Sequence, residues 1–462
     1  MRLWKSLVRF LSRLRCKFLI PDRNPGNSGT MNKGTATFFQ KSRCPLIPQP
    51  ARRPPIPPMQ QNGAGAIMPA KDLSHSGTGA EGRMKAMSAL GDVQKAGSNG
   101  GNGTCPYCAG KDVVKRGWRS KKYEKAQLYF CNQCQKTFSG QKVKGKSFPL
   151  RVIFEGLSLY NLGYGLEESS SRLKEQFGLV IDPSTLADWV KEFEPLCRYA
   201  RLRPYALKLY SPAQVIRTVH LFHHQVYDFS VHRGKLALLL QEYKNSKFDN
   251  LREFLEAIQS ECPHQFFKEG ERASELKVGF SPEEVIIKEK QNFATRIAGL
   301  ALQAVSENKL RHKALQDFML ANDSVTVAVE VPVYMDQMDI EHMQEELKFK
   351  IPLKLDKVLT GHIDILQLRN GAVHILDYKP QGTKGKEGSR AFTQLTLYAL
   401  ALSRLTGLRL YDFKCAWFDE NSYFEFFPLH VVYKLRERAK KEHPDQVKMF
   451  EEESSGVIQT QL

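Results

Sequence analysis

The sequence predicts a multidomain protein in which a disordered tail, a small β module and a helical stretch precede a C-terminal α/β domain. Three observations predict it. The chain has 462 residues, several times the size of one hydrophobic core. Its texture changes abruptly after residue 104, and near Val325 the apolar period shifts from that of a helix to that of a strand. With 42% hydrophobic, 10% aromatic and 25% charged residues, the composition excludes a wholly disordered or collagen-like chain. No apolar run reaches the roughly 18–20 residues that a membrane-spanning helix needs.

Residues 1–104 contain 13 Gly and 10 Pro, including the run QPARRPPIPP and the stretch GSNGGNGT. Such a segment cannot bury enough apolar surface to offset chain entropy, so residues 1–102 are expected to be a disordered basic tail. The opening RLWKSLVRFLSRLRCKFLI is basic and amphipathic. It suits an anionic membrane surface or an organelle-targeting segment; the alternatives are a short sticky helix or a start at Met31, Met68 or Met84. Charge is concentrated in this part of the chain. Residues 1–150 hold 27 Lys and Arg against 6 acidic residues, whereas the remaining 312 hold 41 against 43. The first third therefore faces a polyanion.

The nine cysteines are Cys16, Cys44, Cys105, Cys108, Cys131, Cys134, Cys197, Cys262 and Cys415. An odd number in a long chain, four of them in two close pairs, fits a reducing compartment and a metal site better than a disulfide framework. A cytoplasmic, nucleoid-associated protein is expected. In CPYCAGKDVVKRGWRSKKYEKAQLYFCNQCQKTFSG two Cys-x-x-Cys turns stand 22 residues apart. Each turn presents two thiolates, and two turns close a tetrahedral zinc site. Residues 103–147 are thus expected to be a zinc ribbon with Cys105, Cys108, Cys131 and Cys134 as ligands of a structural Zn²⁺. Eleven Lys and Arg against two acidic residues follow Ala109 up to Leu150, with Trp118, Tyr123 and Tyr129 among them. Phosphate contact is the use such a surface serves.

Residues 148–200 are expected to be a helix-turn-helix region. One amphipathic helix carries Leu166, Leu173 and Phe177, and Gly178 breaks it. Asp182 then caps a second helix that opens on Pro183 and turns Leu186, Trp189, Val190 and Phe193 inward, leaving Ser184, Thr185, Asp188 and Lys191 outside. Helix pairs of this kind also serve purely as packing units. A zinc ribbon followed by such a pair resembles the N-terminal DNA-binding region of bacterial and archaeal insertion-sequence transposases, over roughly residues 103–195. The resemblance ends there, since no Asp/Asp/Glu integrase-like strand follows Pro195. Residues 205–320 read as mostly helical, with 201–285 as a helical connector. Within it His220, His223, His224, His232 and His264 show no clean metal spacing and are expected in core or surface roles.

From Val325 the chain reads as strands: VTVAVEVPVY, TGHIDILQL, then Asn370-Gly371 and AVHILDYKP. Asn-Gly between two β-rich runs signals a two-residue type I′ hairpin. If Arg369 faces Ala372, Asp364 stands opposite Asp377, with their Cβ atoms about 4.5–5.5 Å apart. Strand alternation puts Lys379 on the face of Asp377. Two opposed carboxylates in an apolar hairpin are tolerable only with a cation or proton between them. A bound Mg²⁺ or Mn²⁺ resolves the conflict, and the Lys379 ammonium would stabilise charge in an in-line displacement at phosphorus. The plainer alternative is a surface Asp–Lys pair, against which Ile363, Ile365, Leu366, Ile375 and Leu376 argue by making the hairpin internal. A Gly/Lys loop, PQGTKGKEG, follows, then a helix RAFTQLTLYALALSRL capped by Ser389 with Gln394 and Tyr398 on one face.

Gly-x-x-Asp, then Asp-Tyr-Lys, then Gln-x-x-x-Tyr resembles the PD-(D/E)xK nuclease superfamily, in its RecB-like branch, over roughly residues 290–430. The resemblance implies a restriction-endonuclease-like α/β domain (286–435, followed by a charged tail, 436–462). It implies Asp364 and Asp377 as Mg²⁺ or Mn²⁺ ligands, the Tyr378 carbonyl as a further ligand, Lys379 as the catalytic lysine, and Gln394 and Tyr398 as supports of DNA or the site. Many relatives of this branch carry an upstream helical His as a ligand. His312 lacks the glycine pattern around such a residue, and Glu330 is the candidate in its place. Some members hold an iron–sulfur cluster through four cysteines; only Cys415 lies downstream here, which argues against one. The implied activity is metal-dependent hydrolysis of phosphodiester bonds in DNA, brought to its substrate by the ribbon and helix-turn-helix. The alternative is a non-catalytic DNA-binding regulator or mobile-element accessory protein with a structural nuclease fold.

Overall fold

The structure, a computed structural model, describes residues 105–139, 146–241, 247–276, 280–305, 307–347, 351, 353–380 and 383–442. The expected tail of residues 1–102 and all but the first residues of the tail 436–462 lie outside the described residues, as do Cys16 and Cys44. All described residues lie within one compact unit.

A small antiparallel sheet comes first, in the order β1 (Val113–Ser120), β2 (Lys125–Cys131), β3 (Thr137–Ser139). Helices α1 (Leu150–Leu162), α2 (Leu166–Phe177) and α3 (Pro183–Cys197) follow. The expected punctuation between α2 and α3 is present: Gly178 ends α2 in the left-handed region, and Asp182 caps α3 by accepting from the Ser184 N–H at 2.8 Å. Leu186, Trp189 and Phe193 point inward.

After the short α4 (Arg203–Leu209) the expectation of a mostly helical stretch is overturned. Residues 216–232 form a hairpin, β4 (Ile216–Phe222) and β5 (Val226–His232), that pairs with a later strand. The reason is visible in IRTVHLF and VYDFSVH, which are rich in β-branched and aromatic residues and alternate in period two. Helices α5 (Arg233–Gln241), α6 (Asp249–Glu261) and α7 (His264–Glu269), the short strands β6 (Glu271–Arg272) and β7 (Lys288–Glu289), and helices α8 (Phe293–Ala301) and α9 (Arg311–Asn322) lead into the central strands. These are β8 (Thr326–Met335), α10 (Gln337–Leu347), β9 (Leu359–Arg369), β10 (Ala372–Tyr378), α11 (Gly385–Thr406), β11 (Phe413–Phe418), β12 (Tyr423–Phe426) and α12 (Pro428–Glu442).

The large sheet runs β4-β5-β8-β9-β10-β11-β12-β7, with β6 beside β9. Two pairs in it are parallel, β6 with β9 and β10 with β11, the latter joined through α11; the other neighbours are antiparallel. That mixed sheet with helices on both faces fits an α/β nuclease-like domain. Alternating residues of its strands enter two different cores. Ile375, Cys415 and Trp417 join the helices α5, α6, α11 and α12, whereas Leu376, Ala416 and Phe418 join α1, α2, α3, α8 and α9. Helices α1 to α3 are therefore built onto one face of the central sheet. No helix of the described residues is long and apolar enough to cross a membrane.

Candidate active site

The site grows from the β9–β10 hairpin. Asn370 and Gly371 both take positive φ, 51° and 71°, as a type I′ turn demands. Arg369 faces Ala372 and the register holds to Ile365 opposite Leu376. The next positions along are Asp364 and Asp377, and each carboxyl perturbs the other. The Tyr378 N–H donates to Asp364 Oδ2 at 3.2 Å. Lys379 places its Nζ 2.7 Å from Asp377 Oδ2 and donates to Gln394 Oε1 at 3.4 Å. Gln394 in turn donates to the Tyr398 hydroxyl at 2.9 Å. The five residues expected to act together thus form one connected group at the carboxyl end of β10, where an open α/β sheet offers its crevice.

Gly361 allows Tyr398 to reach that group. A Cβ there would meet the Tyr398 ring at 2.2 Å. The helix that carries Gln394 and Tyr398 begins a turn earlier than expected, at Gly385, so Ser389 is not its cap. Its hydroxyl donates back to the Gly385 carbonyl at 3.3 Å.

Two further groups complete the arrangement. Glu330 lies on β8 between Val329 and Val331, which pair with Ile365 and Ile363, so it sits across from Asp364. Its backbone has φ 52°, a left-handed conformation costly for a residue with a Cβ. Gln316 of α9 donates to Glu330 Oε1 at 2.7 Å and to the Asp364 carbonyl at 3.2 Å. His312, the helical candidate that lacks flanking glycines, is at the site. Its Nε2 lies 2.7 Å from the Tyr378 carbonyl oxygen and 3.6 Å from Asp364 Oδ2. His312 and Gln316 are four apart and so share one helix face, and Gln316 is held by Glu330. The neighbouring Arg311 pairs with Glu420, and both bond the Tyr378 hydroxyl, which fixes the start of α9 over β10.

Electrostatically this is a cluster of acids held against their preference. Burial, then the nearby Asp364, raises Asp377; burial, then Glu330, raises Asp364. Burial pushes Glu330 up to about 7. Burial opposes the Lys379 ammonium, but Asp377 and Asp364 hold its pKa above the ordinary value, so it is a cation. Burial lowers His312 and so favours its neutral imidazole. Carboxylate and carbonyl oxygens with one imidazole form a donor set suited to Mg²⁺ or Mn²⁺. The raised acids are the excess negative charge that such an ion would neutralise. A cavity of ≈ 280 Å³ opens onto the group, lined by Glu330, Asp364, His312, Gln394 and Tyr398 on one side and by His223 on another.

Residues 240–453 match the family model of the PD-(D/E)XK nuclease superfamily. The matched stretch contains β8 to β12, α9 and α11, and with them the carboxylates, Lys379, His312, Gln316, Gln394 and Tyr398, but not His223. It excludes the hairpin β4–β5, although that hairpin belongs to the same sheet. No curated protein and no solved structure matches the chain.

Near the other end of the described chain the four ribbon cysteines converge. Cys105 and Cys134 sulfurs are 3.4 Å apart, those of Cys108 and Cys131 3.6 Å, and all four lie within 4.8 Å of one another. The group could hold a metal ion. Of the aromatics expected on its basic surface, Trp118 is exposed at 53%, whereas Tyr123 stacks on Phe148 and Tyr129 on Phe138. Cys415 is buried in the sheet and donates to the Leu395 carbonyl.

Proposed function

We propose that the protein is a divalent-metal-dependent nuclease that hydrolyses phosphodiester bonds in DNA. The observation that carries the reading is the convergence of Asp364, Asp377 and Lys379 at one strand end, with an ammonium 2.7 Å from a carboxylate that burial would otherwise keep protonated. Asp364, Asp377 and the Tyr378 carbonyl would hold Mg²⁺ or Mn²⁺, with Glu330 or His312 as the remaining protein ligand. When bound, such an ion supplies Lewis acidity to the phosphodiester and makes water nucleophilic near neutral pH. Lys379 stands 2.7 Å from Asp377 with its cation fixed, so it can hold the attacking water and the charge that grows on phosphate oxygens. Gln394 and Tyr398 position Lys379 through their hydrogen-bond chain.

The RecB-like branch is supported by Gln394 and Tyr398 lying four apart beside the lysine. The four-cysteine ribbon, as a structural zinc site, and the outward face of α3 form the DNA-gripping module. Its support is an exposed Trp118 amid Lys115, Arg116 and Arg119, together with the exposed Ser184, Asp188 and Lys191. Aromatic and basic groups interleaved in this way suit stacking and phosphate contact.

The test is incubation of the full chain with plasmid DNA, linear DNA and RNA in Mg²⁺ or Mn²⁺, beside Asp377→Ala and Lys379→Ala. DNA cleavage reduced on the order of 10²-fold or more in either variant is expected. DNA binding without cleavage by the unaltered chain would favour the non-catalytic regulator instead.

A further inference from the structure

We propose that His223, Cys262 and His264 form a second transition-metal site, of the zinc class, separate from both the ribbon and the carboxylate group. Three separate pieces of chain meet there: His223 in the turn after β4, Cys262 at the end of α6, and His264 at the start of α7. His223 Nε2 lies 3.2 Å from His264 Nδ1 and 3.9 Å from Cys262 Sγ, and all three donor atoms fall within 4.8 Å of one another. An ion at the Zn–N and Zn–S lengths of about 2.1 and 2.3 Å sets tetrahedral ligands about 3.3 to 3.6 Å apart, which those separations bracket. Two imidazoles and a thiolate select a borderline-soft ion over Mg²⁺ or Ca²⁺.

The surroundings hold the donors in place. His223 Nδ1 is 2.8 Å from His362 Nε2, so a hydrogen on Nδ1 donated to His362 leaves the Nε2 lone pair aimed at the other two ligands. An outer partner of this kind is what fixes the tautomer of a metal-bound histidine. The His223 ring stacks on Phe267 at 4.0 Å and the His362 ring on Tyr227 at 3.6 Å, each within 9° of parallel, so neither swings freely. Only three ligands gather among the described residues, which leaves a fourth position for water or a bound group. The ion would pin the β4–β5 turn to the α6–α7 junction, and with it the wall of the cavity that faces Asp364.

This inference does not depend on nuclease activity, and its test reads metal directly. The full chain, loaded with Zn²⁺ and dialysed, is compared with His264→Ala and Cys262→Ser by elemental analysis, and with Cys131→Ser/Cys134→Ser in the ribbon. His264 is exposed, so its replacement leaves the far-ultraviolet circular dichroism unchanged. Both His264→Ala and Cys262→Ser are expected to bind about one zinc fewer per chain, and the ribbon variant to keep that zinc. In the ribbon variant loaded with Co²⁺, a thiolate-to-cobalt charge-transfer band from a single sulfur is expected, lost on adding Cys262→Ser. Equal zinc content in the unaltered chain and in both single variants, or no charge-transfer band in the ribbon variant, overturns the proposal.

Discussion

Asp377 concentrates the physical conflict of the molecule in one residue. It is 3% exposed, close enough to the Asp364 carboxyl to be raised by it, and beside a lysine. Its raised pKa and that of Asp364 mean that the metal-free folded chain binds protons which the unfolded chain has already released. Stability from these groups is thus full below the ordinary carboxylate range and is lost as pH rises through their elevated values. A divalent ion replaces the protons, so the increase in Tm caused by Mn²⁺ should be larger at pH 8 than at pH 6. In Asp377→Asn both the increase and its pH dependence should shrink; calorimetry across that range, with chelator as the baseline, checks this. Glu330 extends the argument. With its pKa at about 7, it is a buried charge at pH 8. Glu330→Gln keeps the shape and should stabilise the chelated protein at pH 8, by on the order of 1 kcal/mol in denaturant unfolding, while lowering cleavage. Equal stability of the two at pH 8 would mean that Glu330 is not held charged against its surroundings.

Elements, more than residues, decided what could be read from the sequence. The β9–β10 hairpin was legible because Asn-Gly prescribes both the turn and the pairing, and the pairing alone brings Asp364 to Asp377. The α2–α3 corner was legible because Gly178 and Asp182 act locally. The hairpin β4–β5 was not, since the apolar residues of its strands also satisfy a helical reading and its neighbour β8 lies about a hundred residues away in the chain. His312 was missed for a similar reason: its partner is the Tyr378 carbonyl, a contact that no local spacing announces. The close approach at Gly361 is another tertiary demand, and it yields a prediction. A methyl group there overlaps a ring whose residue is 5% exposed, so Gly361→Ala should destabilise by about 1–3 kcal/mol and displace the hydroxyl that Gln394 holds. Adding Tyr398→Leu should recover stability but not cleavage. Chemical denaturation and a cleavage assay on the single and double variants separate these effects.

At the scale of the whole molecule, the sheet and the helices before it share one core. Phe154 of α1 packs on Phe318 of α9, Asn161 donates to Asn322 at 2.8 Å, and Asn322 donates to Ser158 at 2.9 Å. Lys235 of α5, fully buried, donates to the Leu320 carbonyl at the end of α9 at 2.7 Å. The helix that presents His312 and Gln316 to the carboxylates is therefore clamped by residues that precede the stretch matching the nuclease model. A fragment of residues 240–453 alone would keep α8 and α9 on that face but lose the apolar cover of α1 to α3, together with the partners Asn161 and Ser158 of Asn322 and Lys235 of Asp323. Exposed apolar surface of that extent favours aggregation over folding. We expect the 240–453 fragment to be insoluble or to lack a cooperative thermal transition. A fragment of residues 146–442 should melt in a single transition and bind Mn²⁺ with the same stoichiometry as the full chain, apart from metal at the ribbon. Scanning calorimetry of both fragments decides the matter: a cooperative transition in 240–453 would show that helices α1 to α3 are an appendage to the large sheet and not part of its core.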